Sequence, residues 1–103
     1  MRIATLDGRF EWDSRKSIEN MRKHRIRFSE ITSVFDDPFL LAYYDSLHSS
    51  EEDRYLAIGS TGEGLLVFVC FVLRDDRIRI ISARRCNGKE KEIYRKNVQK
   101  IIR

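Results

Sequence analysis

His24, Arg54, Arg84, Glu90 and Tyr94 are of the types that move protons or hold anions without a metal. Lys23, Arg79 and Arg85 add positive charge beside them in sequence. Arginine has a planar fork of donors that matches a carboxylate or a phosphate, so this set suits anion chemistry. Each residue also has a structural reading. His24 follows Lys23 at the end of a basic segment, where positive charge caps a helix. Arg54 can pair with Asp45 or Glu52. Tyr94 can be a core residue with its hydroxyl at the edge. Glu90 stands three residues after Asn87, the spacing of a capping box. Taken singly, these residues leave both readings open.

The element that must position them is the stretch Ile78 to Arg85. Period-2 alternation puts Ile78, Ile80, Ser82 and Arg84 on one face and Arg79, Ile81, Ala83 and Arg85 on the other. Apolar residues on both faces predict a central strand. Arginine is rarely buried without a partner. The strand's arginines therefore either pair with carboxylates or line a cleft that accepts an anion.

The chain has 103 residues, 42% of them apolar and 35% charged, which predicts one domain with one core. The longest apolar run, Leu65 to Leu73, is too short to cross a membrane, and the N-terminus has no apolar signal-like stretch. Cys70 and Cys86 are isolated, and His24 and His48 stand alone. Free thiols in a reducing cytoplasm are expected, with no metal and no cofactor. Net charge is +4, unevenly spread. Residues 1–28 hold eight Lys/Arg against four Asp/Glu, residues 29–73 one against eight, and residues 74–103 eleven against four. The basic ends would form a phosphate-binding surface if they meet; alternatively, the acidic middle neutralises them.

Phe10-Glu11-Trp12 reads as a strand after a turn at Asp7-Gly8, and Asp13 as the N-cap of a helix reaching about His24. Ser29 caps a second helix, with Ile31, Val34 and Phe35 on one face, stopped at Pro38. Strands follow at 39–44, 53–59, 65–73 and 77–85, joined by short turns that predict an antiparallel meander. A last helix after Asn87 packs Tyr94, Val98 and Ile101 on the sheet. The expected fold is α+β: an antiparallel sheet of about four to five strands, two N-terminal helices and one C-terminal helix.

Phe10-Glu11-Trp12-Asp13, then Lys16, Asn20, Lys23-His24, Ile26 and Phe28, resemble the opening of the BrnT toxin family. Val34-Phe35-Asp36-Asp37-Pro38, Arg54 with Ile58-Gly59, and Arg79 to Arg84 followed by Glu90 and Tyr94 resemble its later signatures. The resemblance runs from about residue 10 to residue 95. Arg25 stands where the family usually has glycine, and Cys86 where it often has alanine.

The family is similar to the RelE/ParE superfamily of type II toxins. The resemblance implies a metal-independent endoribonuclease that arrests growth, held inactive by a BrnA-like antitoxin in a heteromeric complex that binds operator DNA mainly through the antitoxin. Such cleavage needs a base for the RNA 2′-OH, an acid for the departing 5′-oxygen and cations for the phosphoryl oxygens. On this reading Arg84 and Arg54 stabilise the phosphoryl group, Tyr94 and His24 transfer protons and Glu90 orients an arginine. Lys23, Arg79 and Arg85 position the RNA backbone, and Arg25 adds a phosphate contact. The competing functions are a non-catalytic nucleic-acid-binding module, a co-repressor acting with its antitoxin, and a gyrase poison.

Overall fold

The computed structural model describes residues 1–102. In chain order the elements are β1 (Arg2–Ala4), β2 (Phe10–Asp13), α1 (Ser14–His24), 3-10 turns at Phe28–Glu30 and Thr32–Asp36, β3 (Leu41–Tyr44), β4 (Arg54–Ser60), β5 (Leu66–Arg74), β6 (Arg77–Arg85) and α2 (Gly88–Ile102). The α+β class is as expected, with corrections to the sheet and to the second helix. The sheet has six strands in the order β1-β2-β6-β5-β4-β3, and it is mixed rather than antiparallel. The meander β3 to β6 is antiparallel, but β2 joins β6 in parallel through Phe10↔Ile78 and Glu11↔Arg79. That pairing brings the N-terminal hairpin against the last strand, a contact that local patterns cannot reveal.

The second N-terminal helix is instead a pair of 3-10 turns. Phe28, Ile31 and Val34, all 0% exposed, recur every third residue, the period of a 3-10 helix. The segment also carries the β-branched Ile31, Thr32 and Val34 and ends at a proline, which disfavours a longer α-helix. Helix α1 forms as expected. Asp13 accepts a hydrogen bond from the Arg15 backbone N–H at 2.8 Å, and Arg22, Lys23 and His24 fill the last turn. Its C-cap is Arg25, left-handed at φ 60° and ψ 33°, whose N–H reaches the Met21 carbonyl at 2.9 Å.

One face of the sheet is covered by α1 and the 3-10 turns. Phe10, Trp12, Ala57, Val67, Val69, Phe71, Ile80 and Ala83 meet Ile26, Phe28, Ile31 and Val34 there. The Phe35 ring packs between Phe10, at 5.5 Å, and Phe71, at 5.1 Å between centroids. Gly59 on this face has no room for a side chain: a Cβ would lie 2.6 Å from Val34 Cγ2.

Simple alternation fails on β6. Cys70 pairs with Ser82 but Phe71 pairs with Ile80, so Ile81 is an extra residue in a bulge. The side-chain period restarts there. Ile80 and Ala83 both enter the core, while Arg79, Ser82 and Arg84 all turn to the opposite, open face.

Two strand edges are completed by side chains. Strand β2 leaves β6 after Arg79, and buried Asn20 of α1 takes its place. The Asn20 amide donates to Ala83 O at 2.8 Å and accepts from Ala83 N at 3.0 Å. It also donates to Ile26 O at 2.9 Å. On the other side, β3 leaves β4 before Ser60, and the Asp37 carboxylate accepts the Ser60 N–H at 2.8 Å. No helix of the described residues is long and apolar enough to cross a membrane.

Candidate active site

The open face is organised in cross-strand rows. Glu11, Arg79, Val72 and Arg54 form one; Ser82, Cys70, Leu56 and Tyr43 the next; Arg84, Phe68, Ile58 and Leu41 the third. The register therefore brings Arg54, Arg79 and Arg84 to one surface. Adjacent strands lie ~4.8 Å apart and residues rise ~3.4 Å along a strand. The Cα atoms of Arg54 and Arg84, two strands and two rows apart, are thus roughly 17 Å from one another.

These arginines are not equivalent. Arg79 bonds the buried Glu11 carboxylate at 2.8 Å, with Arg2 at 3.7 Å and Arg77 at 4.0 Å from the same group. One buried acid thus holds β1, β2 and β6 together, and Arg79 is committed to it. Arg84 lies 4.2 Å over the Phe68 ring and reaches both carboxylate oxygens of Glu90 at 2.8 Å each. Arg54 makes no ion pair among the described residues. Both acids that could have held it are engaged elsewhere: Glu52 bonds Arg74 and Asp45 bonds His48, each at 2.8 Å. Of these three arginines, Arg54 alone has no carboxylate partner among the described residues.

Helix α1, pinned by Asn20, borders the same surface. Lys16, Glu19, Asn20, Lys23, His24, Ile81 and Ser82 line a solvent-open cavity of about 240 Å³. His24 is held below its ordinary pKa of 6.5, first by partial burial and then by the positive charges of Lys23 and Arg84. Its imidazole is therefore predominantly neutral at pH 7 and able to accept a proton. The basic ends of the chain do meet, where α1 runs beside β6.

The other residues singled out in the sequence fall elsewhere. Arg85 donates to the His24 carbonyl at 3.0 Å and fixes the end of α1. Arg25 caps that helix, exposed to solvent. The Tyr94 hydroxyl donates to Asp37 at 2.7 Å, beyond the Arg84 row. Partial burial and that carboxylate raise the phenol pKa well above its ordinary value. Tyr94 thus ties α2 to the sheet, and its proton is poorly released. Glu90 is the partner of Arg84 described above. Burial raises both thiols, Cys86 to about 11, so neither forms a thiolate at neutral pH.

Sequence reasoning gave no role to Lys16, Ser82, Asn20 or Asp37. Lys16 and Ser82 lie in the quoted motifs, but the α1–β6 contact and the bulge are what bring them to one cavity. Asn20 and Asp37 lie there too, and their task, closing strand edges, is a tertiary one.

The family described as ribonuclease toxin, BrnT, of type II toxin–antitoxin systems matches residues 12–90. The crystal structure of the Brucella abortus ribonuclease toxin BrnT is similar in fold, with a TM-score of 0.56 and 24% sequence identity. The similarity covers 75% of this chain and 94% of that one. No curated protein sequence matches the chain significantly.

Proposed function

We propose, for a chain that belongs to the BrnT family of ribonuclease toxins of type II toxin–antitoxin systems, that the open face of the sheet is a metal-independent RNA-cleaving site. The observation that carries this reading is His24, kept neutral beside Lys23 and Arg84 at the mouth of a solvent-open cavity. His24 accepts the proton of a ribose 2′-OH. The freed oxygen attacks the adjacent phosphorus, the bond to the 5′-oxygen breaks, and solvent in the open cavity returns a proton to the leaving oxygen. The products are a 2′,3′-cyclic phosphate and a 5′-hydroxyl.

Arg84 stabilises the charge on the phosphoryl oxygens. In the free protein Glu90 occupies its fork, in the bidentate geometry that a phosphate would adopt. Arg54, two strands and two rows away, holds another phosphate along the same RNA strand. Lys23 contributes a further backbone contact. Arg79 acts through the Glu11 pair, and Tyr94 as the tether of α2. Arg85 holds the end of α1, and Arg25 lies at the rim of the RNA path. On this reading the protein acts in the cytoplasm, shares the RelE/ParE architecture, and forms a heteromeric complex with a BrnA-like antitoxin that supplies most of the operator-DNA contacts.

The test is cleavage of a purified, end-labelled RNA without ribosomes and with EDTA present. We expect cyclic phosphate ends, and a rate lower by about 10²–10³ in Arg84→Ala. Full activity in that variant, with the fold intact, excludes Arg84 from the site. No cleavage by the wild-type protein on free RNA or on translating ribosomes excludes the ribonuclease reading.

A further inference from the structure

Helix α2 and the edge strand β3 enclose an open groove of about 870 Å³ that none of the chemistry above uses. Its apolar lining includes Leu41 and Tyr43 of β3 and Ile93 of α2, and Lys96 and Lys100 of α2 also line it. Tyr43 is 43% exposed and Ile93 37%. No carboxylate lines the groove among the described residues. Helix α2 itself has no fully buried residue. An apolar floor beside ammonium groups selects a ligand with apolar side chains on one face and carboxylates along its flank.

We infer that this groove seats an acidic, amphipathic segment of the antitoxin. The inference rests on the family membership, which supplies an antitoxin partner, and is independent of RNA cleavage. RNA would satisfy the lysines but not Leu41 and Ile93. A second copy of this chain, placing α2 against α2, would set lysines against lysines. Register also ties the groove to the candidate active site. Leu41 lies in the same cross-strand row as Arg84, three strands away, or roughly 14 Å. A segment seated along α2 lies on the face that RNA must reach, so it blocks the site by covering it.

The test uses the full chain co-expressed with its antitoxin and purified as the complex. Antitoxin affinity is then measured for Ile93→Asp and for the double variant Lys96→Glu, Lys100→Glu, with circular dichroism confirming the fold. We expect Ile93→Asp to weaken binding by at least about 30-fold, as for a central interface residue. The lysine variant should weaken binding and reduce its salt dependence. Both free variants should cleave RNA at the wild-type rate. A chain without ribonuclease activity would refute the proposed function and leave this measurement intact. Wild-type antitoxin affinity in both variants overturns the inference. So does a lysine variant that loses RNA binding but keeps the antitoxin, or an Ile93→Asp variant that only dissociates a homodimer.

Discussion

Arg84 and Glu90 meet fork to fork, each terminal guanidinium nitrogen 2.8 Å from one carboxylate oxygen. The same Glu90 accepts the Asn87 N–H at 2.9 Å, so one carboxylate both starts α2 and neutralises the central arginine. Glu90→Gln removes the charge and leaves Arg84 available to phosphate. RNA affinity should rise about 3–10-fold, with one more unit of salt slope in a titration of binding against salt. Arg84 lowers the Glu90 pKa from 4.5. The pair therefore stabilises the fold fully above pH 4.5 and fails as pH falls through the lower folded value. Protection of the α2 amides, relative to their intrinsic exchange rates at each pH, should fall in that acid range and hold above it.

His24 should set the acid limb of the pH–rate profile. Its pKa lies below 6.5, so kcat/KM should rise with pH through an inflection below 6.5 and be level at neutral pH. Burial, Lys23 and Arg84 depress it in that order. Lys23→Ala should therefore move the inflection upward as well as lowering the rate. An inflection unchanged in that variant would assign the limb to another group.

Asn20 satisfies three backbone groups that would otherwise be stranded, both polar atoms of Ala83 and the Ile26 carbonyl. Each unpaired buried group costs about 1–3 kcal/mol. Asn20→Ala should lower unfolding free energy by about 3 kcal/mol in urea titration. Asn20→Asp should not rescue it, because a carboxylate cannot donate to the two carbonyls.

Arg25 occupies a left-handed position, φ 60°, at the end of α1. A side chain costs about 1 kcal/mol there relative to glycine. Arg25→Gly should raise stability by about that amount, seen as a higher urea midpoint at unchanged slope. A fall in stability would show that Arg25 gains more from its surroundings than its backbone loses.

The sequence carried the order of strands and helices from β2 onward, the N-cap at Asp13, the meander and the capping box at Asn87, because these are local patterns; it missed β1 and read the 3-10 turns as a helix. It misjudged β6 because alternation assumes an unbroken ladder. In an unbroken strand Arg79 and Arg84 face opposite ways; the extra Ile81 puts both on the open face. The candidate site was thus half legible. Its residue types stood out, but their assembly depends on the bulge, the parallel β2–β6 pair and the Asn20 bridge, each set by distant partners. The arginine partners were likewise hidden: Arg79 finds Glu11 across 68 residues of chain.

Helix α2 is joined to β6 by Glu90 to Arg84, and to the segment before β3 by Tyr94 to Asp37 and Asn97 to the Phe39 carbonyl, with no fully buried side chain of its own. These ties are polar, and the first of them is an ion pair. The core beneath it follows the usual curved dependence of stability on temperature. The Glu90–Arg84 tie adds a dependence on salt to the grip on α2, loosening as ionic strength rises.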